Sequence, residues 1–243
     1  MKKRAIITGG TKGIGKAVAT DLAMEGYDLI LTYASDESAA AKVREELQIA
    51  APVCDVVVLK ADITDMGSVE VINSFLEDNG IYVDVVVLNA GLTYRAPFGE
   101  MQPEEWMKVF TANVHYPTFL LQRIITRINE GGSVVFTGSL MGIEPHAVSL
   151  AYGVTKSSVH ALVKNLVKFL SPRGIRVNGV APGFVDTEWQ KNKPQNIRNN
   201  IENKIAQKRF CKPSELAGVY RMLIENNYIN GEIIVADGGY SYK

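Results

Sequence analysis

Seven short runs of Val, Ile, Leu and Ala constrain this chain most: Ala5–Thr8, Asp28–Tyr33, Asp55–Leu59, Val83–Leu88, Ser133–Thr137, Ile175–Val180 and Glu232–Val235. None alternates apolar with polar residues, as a strand with one wet face would. Unbroken apolar runs of this length suit strands covered on both faces, the condition of a parallel sheet. Longer amphipathic stretches separate them, at about 13–25, 37–48, 66–78, 103–129, 149–171, 197–209 and 213–224. Alternating strand and helix demand crossover connections. The expectation is an α/β fold: one doubly wound, Rossmann-type domain over 1–243, with about seven parallel strands and helices on both faces. A chain of 243 residues can bury one large core, and no repeat or Pro/Ser-rich linker divides it.

Charge and cysteine content narrow the class. Lys and Arg number 26, as do Asp and Glu, so there is no basic excess to suggest a nucleic-acid partner. The two cysteines, Cys54 and Cys211, cannot supply a disulfide framework or a closed zinc site, and are read as reduced thiols. His115, His146 and His160 show no metal-ligand spacing, so no metal is expected. No apolar run approaches the ~20 residues that span a bilayer. Met1-Lys2-Lys3-Arg4 leads into only a short apolar pair before Thr8, which does not read as a signal peptide. A cytoplasmic protein with no membrane partner is expected.

Thr8-Gly9-Gly10-Thr11-Lys12-Gly13-Ile14-Gly15 follows the first strand and opens the first helix. Glycines there permit positive φ and a close approach of backbone to ligand. The free N–H groups of the helix start attract phosphate. Gly10-x4-Gly15-Lys16 also fits a P-loop, but Ala17 stands where a Mg²⁺-binding hydroxyl belongs. A dinucleotide site is the better reading. An acid at the end of the second strand would take the ribose 2′-hydroxyl and favour NAD. Here the strand ends Leu31-Thr32-Tyr33-Ala34-Ser35, while Asp36 and Glu37 suit the start of the next helix. Lys12 could reach a 2′-phosphate, so NADP is expected over NAD.

Tyr152 and Lys156 are four residues apart on a candidate helix and project from one face. A phenol of pKa ~10 is a poor acid–base group at neutral pH. A cation ~4 Å away would lower that value, so the pair is expected to make Tyr152 a usable proton donor and acceptor. Ser139 is read as ending the fifth strand at the carboxyl edge, where doubly wound sheets bind ligands. Its hydroxyl could hydrogen-bond a carbonyl oxygen. Gly138-Ser139-Leu140-Met141-Gly142 is no hydrolase elbow, having one spacer too many.

With these residues in order, the chain resembles the short-chain dehydrogenase/reductase family from end to end. The glycine motif is Thr8–Gly15; Asp62 matches the acid at adenine, Asn89-Ala90-Gly91 the motif beside the cofactor, and Asn113 the helix asparagine of the catalytic set. Ser139, Tyr152 and Lys156 match the triad, and Pro182-Gly183-Phe184-Val185-Asp186-Thr187 the motif whose threonine meets the nicotinamide carboxamide. The resemblance implies a dinucleotide held by Gly9, Thr11, Lys12, Gly13, Ile14, Gly15, Tyr33, Ser35, Asp62, Ile63, Asn89, Ala90, Gly91, Tyr152, Lys156, Pro182, Gly183, Val185 and Thr187. It implies that Tyr152 protonates a developing alkoxide, Ser139 holds its oxygen, Lys156 lowers the tyrosine pKa and Asn113 holds a proton-relay water.

The nearest likeness within the family is to 3-oxoacyl-[acyl-carrier-protein] reductases, on Asn89–Thr93, Arg173–Asn178, Ala181–Phe184 and Asp237–Tyr240. That branch implies an acyl-thioester substrate, an acidic carrier protein met by basic residues near the cleft, and a homotetramer joined through 103–129 and 149–171. Arg173 matches one docking position, whereas Asn129 or Glu130 stands at the other. Tyr94–Phe98 also departs from the pattern and is expected to line the cleft. Another small ketone or alcohol, such as a sugar, a quinone or a steroid, is the alternative substrate. Tyr94, Arg95, His146, Phe184 and Trp189 are the candidate substrate contacts. The segment 187–212, with seven basic residues and two acidic ones, reads either as a solvated surface helix or as a lid over the site.

Overall fold

The computed structural model describes residues 2–145 and 149–242. Seven strands form one parallel sheet: β1 Arg4–Ile7, β2 Asp28–Tyr33, β3 Val56–Lys60, β4 Val83–Leu88, β5 Ile128–Thr137, β6 Arg176–Pro182 and β7 Ile233–Ala236. Their order in space is β3-β2-β1-β4-β5-β6-β7. The helices are α1 Gly13–Met24, α2 Glu37–Ala50, α3 Ser68–Asp78, α4 Pro103–Phe110, α5 Tyr116–Ile124, α6 Leu150–Leu170, α7 Glu188–Lys191, α8 Gln195–Lys204 and α9 Pro213–Glu225.

The unbroken apolar runs are explained by two cores, one on each face of the sheet. Ala5 and Ile7 of β1, with Val85 and Val87 of β4, turn toward α1, α2 and α9. Ile6, Val86 and Leu88 turn the other way, toward α3, α5 and α6. A polar residue at any of these positions would meet apolar packing whichever face it took.

The chain winds outward in two directions from β1, first through β2 and β3, then through β4 to β7. The connections leaving β1 and β4 therefore part at the carboxyl edge and open a crevice between them. Gly15 packs α1 into that edge. A Cβ there would stand 2.3 Å from the Gly9 carbonyl oxygen and 2.6 Å from Asn89 Nδ2.

Two expected helices differ. The stretch 103–129 is α4, a π-type turn Thr111–His115, α5 and a 3₁₀ turn Ile125–Arg127. Pro117 supplies the reason: without an N–H it cannot donate to the Asn113 carbonyl four residues back. The chain then enters β5 at Ile128, which pairs with Val83 across a register shift. In the segment 187–212, α8 ends at Lys204 rather than 209, because Ile205 is extended (φ −77°, ψ 129°) and Lys208 is left-handed (φ 55°). Among the described residues no helix is long and apolar enough to cross a membrane, and no group of three or more His, Cys, Asp or Glu could hold a metal ion.

Replacing Gly15 with alanine should cost about 1–3 kcal/mol, since the nearest atom belongs to backbone and cannot swing aside. Thermal unfolding should show a midpoint several degrees lower. An unchanged midpoint would mean that the loop yields.

Candidate active site

The carboxyl ends of β1, β4 and β5 are tied by side chains. Thr8 Oγ1 accepts from the Asn89 N–H at 2.9 Å and the Ala90 N–H at 3.1 Å. Asn89 Nδ2 donates back to the carbonyls of Thr8 (3.0 Å) and Gly9 (3.3 Å). Thr137 Oγ1 donates to Asn89 Oδ1 at 3.3 Å, and its hydroxyl also lies 2.6 Å from the Tyr220 hydroxyl of α9. From α6, Lys156 Nζ donates to the Thr137 carbonyl at 2.6 Å.

These ties fix the floor of a cavity of about 710 Å³ at the carboxyl edge, within the usual range of ligand pockets, roughly 300–1,000 Å³. One end is walled by Tyr33, Ala34, Asp62 and Ile63, the middle by the glycine loop, the other by Ser139, Tyr152, Lys156 and Trp189. α1 begins with no side-chain cap and no acid in its first turn. Its first N–H groups thus lack intrahelical partners, and Gly13 and Ile14 face the cavity. Gly9 and Gly13 have positive φ, 63° and 53°. Such a cradle fits a dinucleotide phosphate.

At the far end, Ser139 caps the 3₁₀ turn Leu140–Gly142, its Oγ accepting from the Met141 N–H at 3.1 Å. Its own N–H donates to His160 Nε2 at 3.3 Å. The Trp189 ring meets Tyr152 edge-on, centroids 6.0 Å apart. Burial pushes the Tyr152 phenol up to about 12, while the Ser139 hydroxyl in hydrogen-bonding contact pulls the other way. Burial lowers Lys156 to about 8. Burial, followed by the charges of Lys156 and Lys164, brings His160 down to about 4, so its ring stays neutral and accepting near pH 7.

A family model described as Enoyl-(Acyl carrier protein) reductase matches residues 9–241. The chain belongs to the short-chain dehydrogenase/reductase family. Among its relatives, a Bacillus subtilis protein named an uncharacterized oxidoreductase is 30% identical over 244 residues, 99% of each chain. A Thermotoga maritima 3-oxoacyl-[acyl-carrier-protein] reductase is 34% identical over 242 residues, 98% of this chain and 97% of its own. A short-chain dehydrogenase from Burkholderia cenocepacia, solved in complex with NADP, superposes with a TM-score of 0.91 at 27% identity, covering 98% of both chains.

Most residues expected at a short-chain dehydrogenase/reductase site line this cavity, and the exceptions have visible causes. Thr11 is buried beneath its loop, Gly15 serves the packing of α1, and Ser35 points to solvent. Lys12 lines the cavity but pairs with Asp36. Asp36 caps α2 through Ala39 (2.9 Å), as its position suggested. The Asn113 side chain is spent on structure: Oδ1 accepts from the Leu92 N–H at 2.7 Å, and Nδ2 donates to the Leu92 carbonyl and Thr155 Oγ1, both at 2.9 Å. Lys156 does not lower the Tyr152 pKa as expected; its ammonium is drawn to Thr137 and stands 5.5 Å from the phenol ring centre.

On the substrate side, Arg95, Phe184 and Trp189 line the cavity. Tyr94 turns away, its hydroxyl accepting from the Gln102 N–H at 3.1 Å, and Phe98 is 81% exposed. His146 lies outside the described residues. Arg173 is not near the cleft. It follows the far end of α6, about 30 Å from Tyr152 at 1.5 Å per residue, and its guanidinium binds the carbonyls of Ile125 and Ile128. His160 was passed over by the sequence reading, although it lies one more step of four along the face of Tyr152 and Lys156.

The lowered Lys156 pKa has a consequence for stability. Between about 8 and the ordinary 10.5 the unfolded chain holds a proton that the folded chain has released. Raising pH through that window therefore favours the fold. Unfolding midpoints of the ligand-free protein, measured from pH 7 to 10.5, should rise relative to those of Lys156→Met. Parallel curves would contradict the burial of this ammonium.

Proposed function

We propose that this oxidoreductase reduces a ketone to a secondary alcohol with NADPH, and that its substrate is a 3-oxoacyl thioester. The observation that carries the reading is the convergence of Ser139, Tyr152 and Lys156 on one cavity with the uncapped start of α1.

The cofactor, when bound, supplies a hydride for the carbonyl carbon. The chain's own residues supply the proton and hold the oxygen. Tyr152, with its pKa pushed to about 12, is a neutral phenol at pH 7 and so a proton donor. The Ser139 oxygen accepts from Met141, and its hydroxyl is in hydrogen-bonding contact with the Tyr152 phenol, so both hydroxyls stand where one substrate oxygen could meet them. Two donors held in place before charge develops stabilise an alkoxide better than water does. His160 sets the Ser139 backbone from behind. Lys156 spends one of its donors on Thr137 and keeps others for the nicotinamide ribose. The Asn113 side chain is fully engaged, so its main-chain carbonyl is the group assigned to a relay water.

The tip of β2 supports NADPH over NADH. Tyr33 and Ala34 face the cavity there, with no carboxylate among them. Asp36, held low mainly by its bond to Lys12, competes for the cation assigned to the 2′-phosphate. The 34% identity to a 3-oxoacyl reductase over nearly the whole chain supports the thioester. A different small ketone is the second reading, favoured by Arg173, whose guanidinium is consumed by backbone carbonyls away from the cleft. The segment 187–212 is assigned as a lid on the strength of Glu188, Trp189, Gln190 and Lys193, which face the cavity.

Loss of NADPH absorbance with a short 3-oxoacyl thioester, beside sugar, quinone and steroid ketones, tests the substrate. Turnover of the thioester alone is expected; turnover of a panel ketone alone would keep the chemistry and reject the thioester. Tyr152→Phe should abolish turnover while NADPH still binds, and activity within tenfold of wild type would remove Tyr152 as the acid.

Cofactor choice has its own test. Lys12→Ala should weaken NADPH about tenfold or more, the worth of one charge-assisted bond, and NADH far less. Asp36→Asn should shift the preference further toward NADPH. Equal effects on both cofactors, by fluorescence titration, would reject the 2′-phosphate role.

A further inference from the structure

Three cations line the cavity: Arg95 on the connection after β4, Lys108 on α4 and Lys193 just after α7, with Arg95 near enough for its charge to act on Lys193. None of these side chains makes an ion pair or hydrogen bond with a described residue. Of the other basic residues of the same segment, Lys191 pairs with Glu188, Arg198 with Asp186 at 3.1 Å and Arg209 with Glu215 at 2.7 Å, whereas Lys204, Lys208 and Lys212 form no ion pair among the described residues and lie outside the cavity wall. The two acids of the cavity wall are committed elsewhere. Glu188 is taken by Lys191, and Asp62 accepts from the Thr64 N–H and hydroxyl, both at 2.9 Å, at the opposite end. Glu104 and Glu105, one turn before Lys108, form no ion pair with it.

Lys193 is half-buried, and burial, then the Arg95 charge, hold its ammonium below the ordinary range. Bringing like charges together in a partly desolvated place opposes folding. A bound anion would reverse the sign of that interaction. Trp189, four residues before Lys193, lines the same cavity and leans on the Tyr152 ring, so an anion held beside Lys193 fits the molecule whose carbonyl meets Tyr152. The dinucleotide phosphates have their own cradle at Gly9, Gly13 and Ile14.

We propose that Arg95, Lys108 and Lys193 form a subsite for an oxyanion carried by the ketone substrate, a phosphate or a carboxylate on the same molecule as the reacting carbonyl. The inference rests on the ketoreductase reading and specifies its substrate class: an anionic ketone, in preference to a neutral one of the same shape. A phosphorylated thioester arm and a free oxo acid would present the same chemistry, so the test separates them.

The test compares kcat/KM for matched pairs: a 3-oxoacyl thioester of phosphopantetheine against that of unphosphorylated pantetheine, and a short oxo acid against its amide. Wild type should prefer the anionic member of one pair about tenfold or more, and the pair that responds names the source of the anion. The double variant Arg95→Gln, Lys193→Gln should reduce that anionic-to-neutral ratio toward one, through KM, while the KM for NADPH holds. Equal turnover of both members in both pairs would overturn the subsite and leave the ketoreductase reading standing. A double variant that raises the KM for NADPH and keeps the substrate ratio would reassign the cluster to the cofactor and overturn it too. Turnover of none of the four, nor of the panel ketones, would remove the ketoreductase reading and this inference with it.

Discussion

Asn89 makes the interaction on which the site depends. Its amide joins the turn after β1 to the end of β4 and accepts from Thr137 at the end of β5. Thr137 then offers its carbonyl to Lys156. Three strand ends and one helix are thereby fixed against each other at the place where the winding reverses and the connections part. The crevice itself is a property of any doubly wound sheet. Its use as a site requires that the glycine loop and the α6 face keep one spacing, and the short bonds through Asn89 and Thr137 set it.

Burial governs the electrostatics of this edge more than pairing does. Tyr152, Lys156 and His160 lie on one face of α6, and each is shifted first by loss of water: the phenol upward, the ammonium and the imidazole downward. The three shifts all favour neutral forms, as a low-dielectric pocket must. They produce three different tools. A neutral phenol donates a proton, a neutral imidazole accepts the Ser139 N–H, and an ammonium near its titration point remains a donor that a ligand can hold charged. An exposed helix with the same spacing would offer none of these.

The sheet was legible because its signal is local and redundant: a strand buried on both faces must be apolar at every position, and seven runs said so. The glycine loop, Ser139 and the Tyr152–Lys156 pair were legible for a similar reason, since close backbone approach and a shared helix face demand particular residues at fixed spacings. Contacts decided by partners distant in sequence were not. Arg173 looks like a surface cation until Ile125 and Ile128 offer it carbonyls. Lys156 looks like a partner for Tyr152 until Thr137 claims it. The break in 103–129 lay within reach, because Pro117 is incompatible with an unbroken ladder, yet the apolar stripe outweighed it.

The same distinction separates chemistry from selectivity. The residues proposed to act on the carbonyl sit on α6 and the strand ends, packed between two cores with little freedom to differ. Arg95, Lys108 and Lys193 come instead from a loop, a short helix and the segment after α7, and their side chains line the cavity with no ion pair or hydrogen bond among the described residues. Nothing in the core depends on their charge, so the fold can change its preferred substrate there without disturbing the proton donor. The proposed anion-binding mouth on a proposed ketone-reducing floor is thus an arrangement the fold can reach through side chains alone, at positions where each replacement costs the core almost nothing.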